Sequence, residues 1–173
     1  MSDDTRSILK LLDAPSQWLS SWLSWLPLGM TGLTVYVVVL RYGFGIGAIT
    51  AQEGVMYLHA ALFMLGASYT LLADEHVRVD VFYRRFSLRQ QAWINALGHV
   101  VFTLPLCAVI ALSSLGYVGE SWMIRESSPE PGGIPAVYLL KTLIPVMATL
   151  LTIQALAEVI RALSTLVTDD HHD

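Results

Sequence analysis

The stretch EGVMYLHAALFMLGASYTLLA, Glu53–Ala73, decides the fold, because this nearly uninterrupted apolar segment ends in the charged stretch DEHVRVD, Asp74–Asp80. At about 1.5 Å per residue a helix of this length is about 30 Å long, which is the thickness of the hydrocarbon layer of a bilayer. Arg84, Arg85 and Arg89 follow before the next apolar segment begins. The pattern predicts a membrane hairpin that turns around a short ionic loop.

The composition of the whole chain is that of a membrane protein. Of its 173 residues, 54% are hydrophobic and 14% are charged, whereas soluble domains carry about 25% charged residues. No basic stripe offers a surface for nucleic acid, and the net charge is −4. Cys107 is the single cysteine, which excludes a disulfide framework and a dithiol redox site within one chain.

Four apolar segments are long enough to cross a bilayer. We predict spans at about 26–44, 53–73, 91–118 and 136–163. Pro105 and Pro145 lie inside the last two spans and predict bends there. The spans must be helices, because lipid cannot satisfy backbone amides and four spans are too few for a closed barrel. The predicted fold class is an all-α membrane protein with four transmembrane helices, in one membrane domain over 16–165.

The N-terminal region divides into two predicted parts. Residues 1–15 are mixed in character and are predicted to form a loose cytoplasmic tail. In 16–26, Trp18, Trp22 and Trp25 recur with leucines at helical spacing while serines fill the other face. This pattern predicts an interfacial amphipathic helix, because tryptophan rings favour the headgroup region. The alternative is that the segment is the first part of a tilted first span.

Lysine and arginine are divided unevenly between the two sides of such a domain. The side of the termini holds Arg6, Lys10, Arg78, Arg84, Arg85, Arg89 and Arg161, and the other side holds Arg41, Arg125 and Lys141. The positive-inside rule therefore predicts that both termini are cytoplasmic. The same side would hold the ionic loop and an acidic, histidine-containing tail at 166–173.

Charged residues at the outer ends of the spans are candidates for contacts with a partner or for pinning helices together. Arg41 and Glu53 flank the first outer loop and are predicted to pair with each other or with another subunit. The alternative is a snorkelling arginine and a glutamate that the helix dipole favours. Lys141, one turn into span four, can snorkel outward or pair with Glu126 or a neighbouring subunit.

On the inner side, two ion pairs are predicted. Arg78 pairs with Asp80 or Asp74 within the ionic turn, and Glu158 and Arg161, three apart, pair on one face of span four. A metal site built from Asp74, His76 and Asp80 is disfavoured, because the nearby arginines oppose a cation. The sequence offers no nucleophile–base arrangement, phosphate loop or paired carboxylates, so we expect no enzyme; the enzymatic alternative would use His76.

His59 and His99 lie inside spans two and three and raise the alternative of a haem-binding electron-transfer subunit. The two axial ligands of one haem need nearly the same depth, whereas these histidines are predicted to differ by roughly 10 Å along the membrane normal. We therefore expect no cofactor in this chain. Four spans without an internal repeat also lack the midplane site of a transporter, which favours an accessory or scaffold subunit.

The sequence resembles the small membrane subunit of tripartite ATP-independent periplasmic (TRAP) transporters from about residue 30 to 163. The most telling element is His76-Val77-Arg78-Val79-Asp80. The others, in order, are Leu40-Arg41-Tyr42 with Phe44, Glu53, Leu65-Gly66-Ala67-Ser68-Tyr69, Ser121-Trp122, Glu126-Ser127-Ser128, Gly132-Gly133-Ile134-Pro135, Lys141, Ile144-Pro145 and Gln154. One departure is that Thr50-Ala51-Gln52-Glu53 holds one acidic residue, where relatives often have a tryptophan and two.

The resemblance implies a role in secondary active transport. A periplasmic protein would capture an organic acid, and a large membrane subunit would carry it together with sodium. The small subunit would buttress the large one as a fixed scaffold in the bacterial inner membrane, surrounded by lipid. The expected site residues are those that place it against a partner, namely Arg41, Glu53, Arg78, Asp80, Glu126 and Lys141.

Overall fold

A computed structural model describes residues 3–75, 83 and 85–169 of the chain. The helices are α1 (Asp3–Leu23), α2 (Leu26–Gly43), α3 (Ile49–Leu72), α4 (Leu88–Gly98), α5 (Leu104–Met123) and α6 (Val137–Asp169), with a π-helical turn, His99–Thr103, between α4 and α5. Four helical segments are long and apolar enough to cross a membrane, namely Thr5–Gly43, Ile49–Leu72, Leu88–Met123 and Val137–Val167. The prediction of an all-α protein with four membrane-spanning helices is confirmed.

The predicted loose tail at 1–15 is wrong, because α1 is helical from Asp3 and passes through Pro15 without ending. Proline removes one backbone donor inside the helix, but packing keeps the helix intact. Leu9, Asp13, Ser16 and Leu23 are buried and lie on one helical face, while the tryptophans predicted to be interfacial are exposed. The chain therefore begins with a long amphipathic helix that is held against the rest of the molecule.

Two helix boundaries also differ from the predicted ones. Helix α3 begins at Ile49, four residues before the predicted start, so Glu53 lies one turn inside the helix. Helix α6 runs to Asp169, so the predicted tail at 166–173 begins too early. The extension of α6 has a packing reason, since Leu166 joins a buried cluster with Ala92, Ala96 and Ala162 where α4 lies against α6.

The spanning helices form a flat layer in which α2 packs on α3, α3 on α6, and α6 on the continuous α4–α5 rod. Helix α1 crosses one face of this layer and contacts both α3 and α6. The central helix α6 is lined by small residues, and Ala148, Ala155 and Ala157 are fully buried. Small side chains allow helix backbones to approach closely, which is how membrane helices gain packing energy. Both faces of a single layer remain broadly open to lipid or to a partner.

The two prolines inside the long helices act differently. Before Pro105 the helix widens into the π turn, and the backbone N–H of Leu104 donates to the carbonyl of His99. A proline ring clashes with the carbonyl four residues earlier, and a π turn is a recognised way to relieve such a conflict. Pro145 lies inside α6, which continues unbroken to its end.

Candidate functional site at the loop end

We call the end of the layer that holds the α2–α3 connection and the loop 124–136 the loop end, and the opposite end, where α1 crosses α3 and α6, the network end. At the loop end Glu53 anchors the loop. The backbone N–H of Ile134 donates to Glu53 Oε2 over 2.6 Å, and the hydroxyl of Ser128 donates to Glu53 Oε1. Thr50 Oγ1 also donates to the carbonyl of Gly132 over 2.5 Å. The first turns of α3 therefore hold an otherwise irregular loop in place.

The close packing of this anchor leaves no room for a side chain at Gly133. A Cβ placed there would lie 2.5 Å from Ser128 Oγ and 2.7 Å from Glu53 Oε1. A real Cβ atom essentially never comes within 3.0 Å of such an atom, so a side chain at this position must push the anchor apart. The Gly132-Gly133 pair in the sequence thus has a defined physical role at its second glycine.

A second connection joins the start of the loop to α6 through Glu126 and Lys141. The end of α5 places Glu126, because Arg125 adopts a left-handed conformation with φ 50° and the N–H of Glu126 donates to the carbonyl of Ser121 over 3.0 Å, in the pattern of a Schellman cap. Lys141 Nζ then lies 2.5 Å from Glu126 Oε2 and 4.0 Å from the centroid of the Tyr117 ring. The hydrogen bond from Lys141 holds the pKa of Glu126 below its usual value of 4.5.

An aromatic contact completes the loop end. Trp122 Nε1 donates to Thr142 Oγ1 over 2.9 Å, and the Trp122 and Tyr138 rings meet edge to face with centroids 4.6 Å apart. Edge-to-face pairs add to the energy of simple area burial. The end of α5 and the start of α6 are therefore fixed side by side.

Arg41 does not take part in these connections. It lies exposed in the last turn of α2, and among the described residues no ion pair joins it to Glu53 or to another acid. The carboxylate of Glu53 is instead occupied by the loop. Of the predicted residues, the structure thus brings Glu126 to Lys141 and leaves Arg41 facing outward. Arg78 and Asp80, together with the ionic turn around His76, lie outside the described residues.

The two histidines of the spans are placed far apart in depth. His59 lies ten residues from the loop end of α3, and His99 lies 24 residues from the loop end of α5. At 1.5 Å per residue this places them about 21 Å apart along the helices. His99 Nδ1 is 3.2 Å from Thr103 Oγ1 within the π turn, and the His59 ring stacks on Phe63 with centroids 6.4 Å apart. This separation is larger than the roughly 10 Å expected from the sequence, and it argues more strongly against a haem shared by the two histidines.

The network end contains a buried polar cluster that sequence reasoning largely missed. Gln154 is fully buried; its Nε2 donates to Asp13 Oδ1 over 3.0 Å and to Glu158 Oε1 over 3.3 Å, and its Oε1 accepts from Ser16 Oγ over 2.9 Å. Arg161 lies 2.8 Å from Asp13 Oδ2 and also pairs with Glu158. We call these five residues the α1–α6 network.

One part of the α1–α6 network was predictable and another was not. The predicted pair of Glu158 with Arg161 is confirmed. Asp13 was missed because residues 1–15 were predicted to be loose, and Ser16 was missed because its segment was predicted to lie at the membrane interface. The available signal was that these polar residues fall on the same helical face as the apolar Leu9 and Leu23, which is the pattern of a buried polar contact.

Among the described residues, no three His, Cys, Asp or Glu side chains come close enough to hold a metal ion. The arrangement is thus one of structural connections at both ends of a flat, polytopic, all-helical membrane domain. The model of the family "Tripartite ATP-independent periplasmic transporters, DctQ component" matches residues 30–165.

This match covers most of the chain, and the protein belongs to that family, the small membrane component of TRAP transporters. No curated protein and no solved structure matches the chain. The family match begins inside α2, so α1 lies outside the matched residues.

Proposed function

We propose that this chain is the fixed scaffold subunit of a TRAP transporter. It buttresses a large membrane subunit, which carries the substrate and sodium, during uptake of an organic acid that a periplasmic binding protein delivers. The observation that carries this proposal is the flat layer of helices tied by polar contacts at both ends. Such a layer supports a moving neighbour without having to change shape itself.

The course of the described helices supports a role in support rather than in transport. Transporter sites commonly use helices that are broken near the middle of the membrane. Here the π turn His99–Thr103 lies 20 to 24 residues from the loop end of its rod, which is about 30–36 Å. It therefore sits near the far membrane face rather than at mid-depth.

The orientation that we propose places both termini and the network end in the cytoplasm and the loop end in the periplasm, with the protein in the bacterial inner membrane. The uneven distribution of lysine and arginine supports this orientation. Arg125 and Glu130, which are exposed on the loop, would then face the periplasmic binding protein.

Reconstitution tests the proposal directly. Liposomes with this chain alone should accumulate no organic acid under an inward sodium gradient. Liposomes that also hold the cognate large subunit, with the binding protein outside, should accumulate the organic acid. Omission of this chain from the complete system should abolish uptake. Accumulation by this chain without the large subunit would overturn the scaffold role.

Charge reversal locates the contacts with the large subunit. Arg41→Glu should reduce co-purification of the large subunit while leaving thermal unfolding of this chain unchanged, because Arg41 pairs with no acid among the described residues. Glu53→Lys should reduce both the co-purification of the large subunit and the thermal stability of this chain, because it releases the loop. Arg78→Glu tests the ionic turn in the same assay. Lys10→Glu, an exposed cation of α1, is the matched control. Full association of all three test variants would show that these sites are wrong.

A further inference from the structure

One face of α3 carries a stripe of exposed side chains at helical spacing. Gln52, Met56, His59 and Phe63 are separated by four, three and four residues, and all are exposed. We call these four residues the α3 stripe. The apolar members are strongly exposed, with Met56 at 51% and Phe63 at 74%. Apolar exposure is ordinary for a helix that faces lipid. Of the two polar members, Gln52 lies near the loop end and His59 lies deeper in the span, so His59 is the informative one.

His59 lies within the membrane-spanning part of α3. It is ten residues from the start of α3, and six residues, or about 9 Å, beyond Glu53 at the loop end, which places it inside a hydrocarbon layer of about 30 Å. Apart from stacking on Phe63, its ring forms no hydrogen bond with any described residue. An imidazole always has a donor and an acceptor to satisfy, and hydrocarbon satisfies neither. Polar groups at this depth almost always face protein or water.

Several exposed hydroxyls in the spans differ from His59, because they donate to carbonyls of their own helix, as in Thr31 to Pro27, Thr34 to Met30, Ser113 to Ile110 and Thr149 to Pro145. A helix that does this can face lipid without an unsatisfied group. His59 forms no such bond to a described residue, so a partner for its ring must come from outside that part of the chain.

The α3 stripe ends against α1. Continuing the same spacing leads to Gly66 and Thr70, and a Cβ at Gly66 would lie 3.9 Å from Leu23 Cδ1 of α1. An apolar notch of about 670 Å³ lies between the end of α1 and α3, with Leu23 and Pro27 on one side and Phe63 on the other. Helix α1 therefore projects from the layer at the network end of the stripe. We call this projection the α1 ledge.

We propose that the α3 stripe is the docking surface for a membrane-spanning helix of the large subunit, which offers a hydrogen-bonding group to His59 inside the membrane and whose end rests in the notch beside α1. This inference rests on the proposed function and adds the face at which the two subunits meet. The occupant is a different protein rather than a second copy for a geometric reason. Two copies share one orientation in the membrane, so a twofold axis along the membrane normal would bring both α1 ledges together at the same depth. The ledges would hold the two stripes apart.

Site-specific photocrosslinking tests this surface in the assembled complex. A photoreactive amino acid replaces Phe63 in one preparation and Val109 in another. Val109 is the matched control, because it lies 14 residues from the loop end of its helix, as Phe63 does, and is 64% exposed at the far edge of the layer. We expect an adduct with the large subunit from position 63 and none from position 109.

The hydrogen bond of His59 is tested separately. His59→Leu should lower the fraction of large subunit retained in detergent about tenfold, the change produced by one lost buried hydrogen bond. His59→Gln, which keeps a donor and an acceptor, should restore most of it. Equal retention for all three proteins would overturn the role of the imidazole.

The outcomes distinguish this inference from the function on which it rests. If the subunits co-purify but position 63 crosslinks only to lipid or to a second copy of this chain, the docking surface is wrong and the scaffold role stands. If the unaltered subunits do not associate at all, both proposals fail.

Discussion

The loop end and the network end are both held by hydrogen-bonded carboxylates, but they are built in different ways. At the loop end Glu53 accepts from a backbone N–H and a hydroxyl of an irregular loop, in a place open to water. At the network end Asp13 meets side chains of another helix, and the central Gln154 is fully buried. The first end fixes a loop on a helix, and the second fixes one helix across another.

The difference in burial decides how much each end contributes to stability. When a hydrogen bond at the exposed loop end is lost, water can replace the missing partner. At the network end a lost partner leaves a buried polar group unsatisfied, at a cost of about 1–3 kcal/mol for each group. We therefore expect changes in the α1–α6 network to be the more damaging, although two of its five residues, Asp13 and Ser16, lie outside the part of the chain that matches the family model.

The largest effect is expected for Gln154→Leu. The change keeps the volume of the side chain but removes the acceptor of Ser16 and one donor to Asp13. The free energy of unfolding should fall by about 2–4 kcal/mol, and α1 should become accessible to protease. Thermal unfolding in detergent and limited proteolysis measure the two effects. Gln17→Leu, the same change at an exposed position of α1, should alter neither. Equal behaviour of the two variants would show that the network does not hold α1.

The next effect is expected for Gly133→Ala, which tests the loop end by steric conflict. The new Cβ would meet Ser128 and Glu53 at 2.5 and 2.7 Å, so the free energy of unfolding should fall by about 1–3 kcal/mol. Co-purification of the large subunit should fall with it if the loop contributes to docking. Gly119→Ala, whose Cβ would meet nothing within 4 Å, is the control and should be neutral. If Gly133→Ala leaves the free energy of unfolding unchanged, Ser128 and Glu53 can move aside without strain.

The sequence predicted the loop end better than the network end for a physical reason. Spans are read from uninterrupted hydropathy, and charges such as Glu53, Glu126 and Lys141 stand out where a span ends. The helical nature of α1 depended on packing, because Pro15 in a mixed segment reads as a stop when no neighbour is considered. The arrangement of the helices in a single layer could not be predicted either, since hydropathy gives the length of a helix but not the helices it touches.

A smaller effect is expected for Trp122→Phe at the loop end. The change removes the hydrogen bond to Thr142 and keeps an aromatic ring beside Tyr138. The free energy of unfolding should fall by about 0.5–1.5 kcal/mol, as measured by thermal unfolding. Trp93→Phe, at a tryptophan that is 56% exposed, serves as the reference and should change less. A loss well above this range would mean that the indole ring fills space that phenylalanine cannot.

The smallest effect is expected from the titration of Glu126, and it appears as a dependence on pH. Because the hydrogen bond from Lys141 lowers the pKa of Glu126 below 4.5 in the folded state, the folded state favours the carboxylate. The stabilisation is therefore fully present above pH 4.5 and is lost as the pH falls through the lowered pKa. Thermal unfolding between about pH 6 and 3 should show this loss in the unaltered protein. In Glu126→Gln, which cannot titrate, the part of the slope that belongs to this group should disappear. If both proteins lose stability in parallel, ionisation of Glu126 beside Lys141 contributes nothing to stability, and the loop is held by Glu53 and Thr50 of α3.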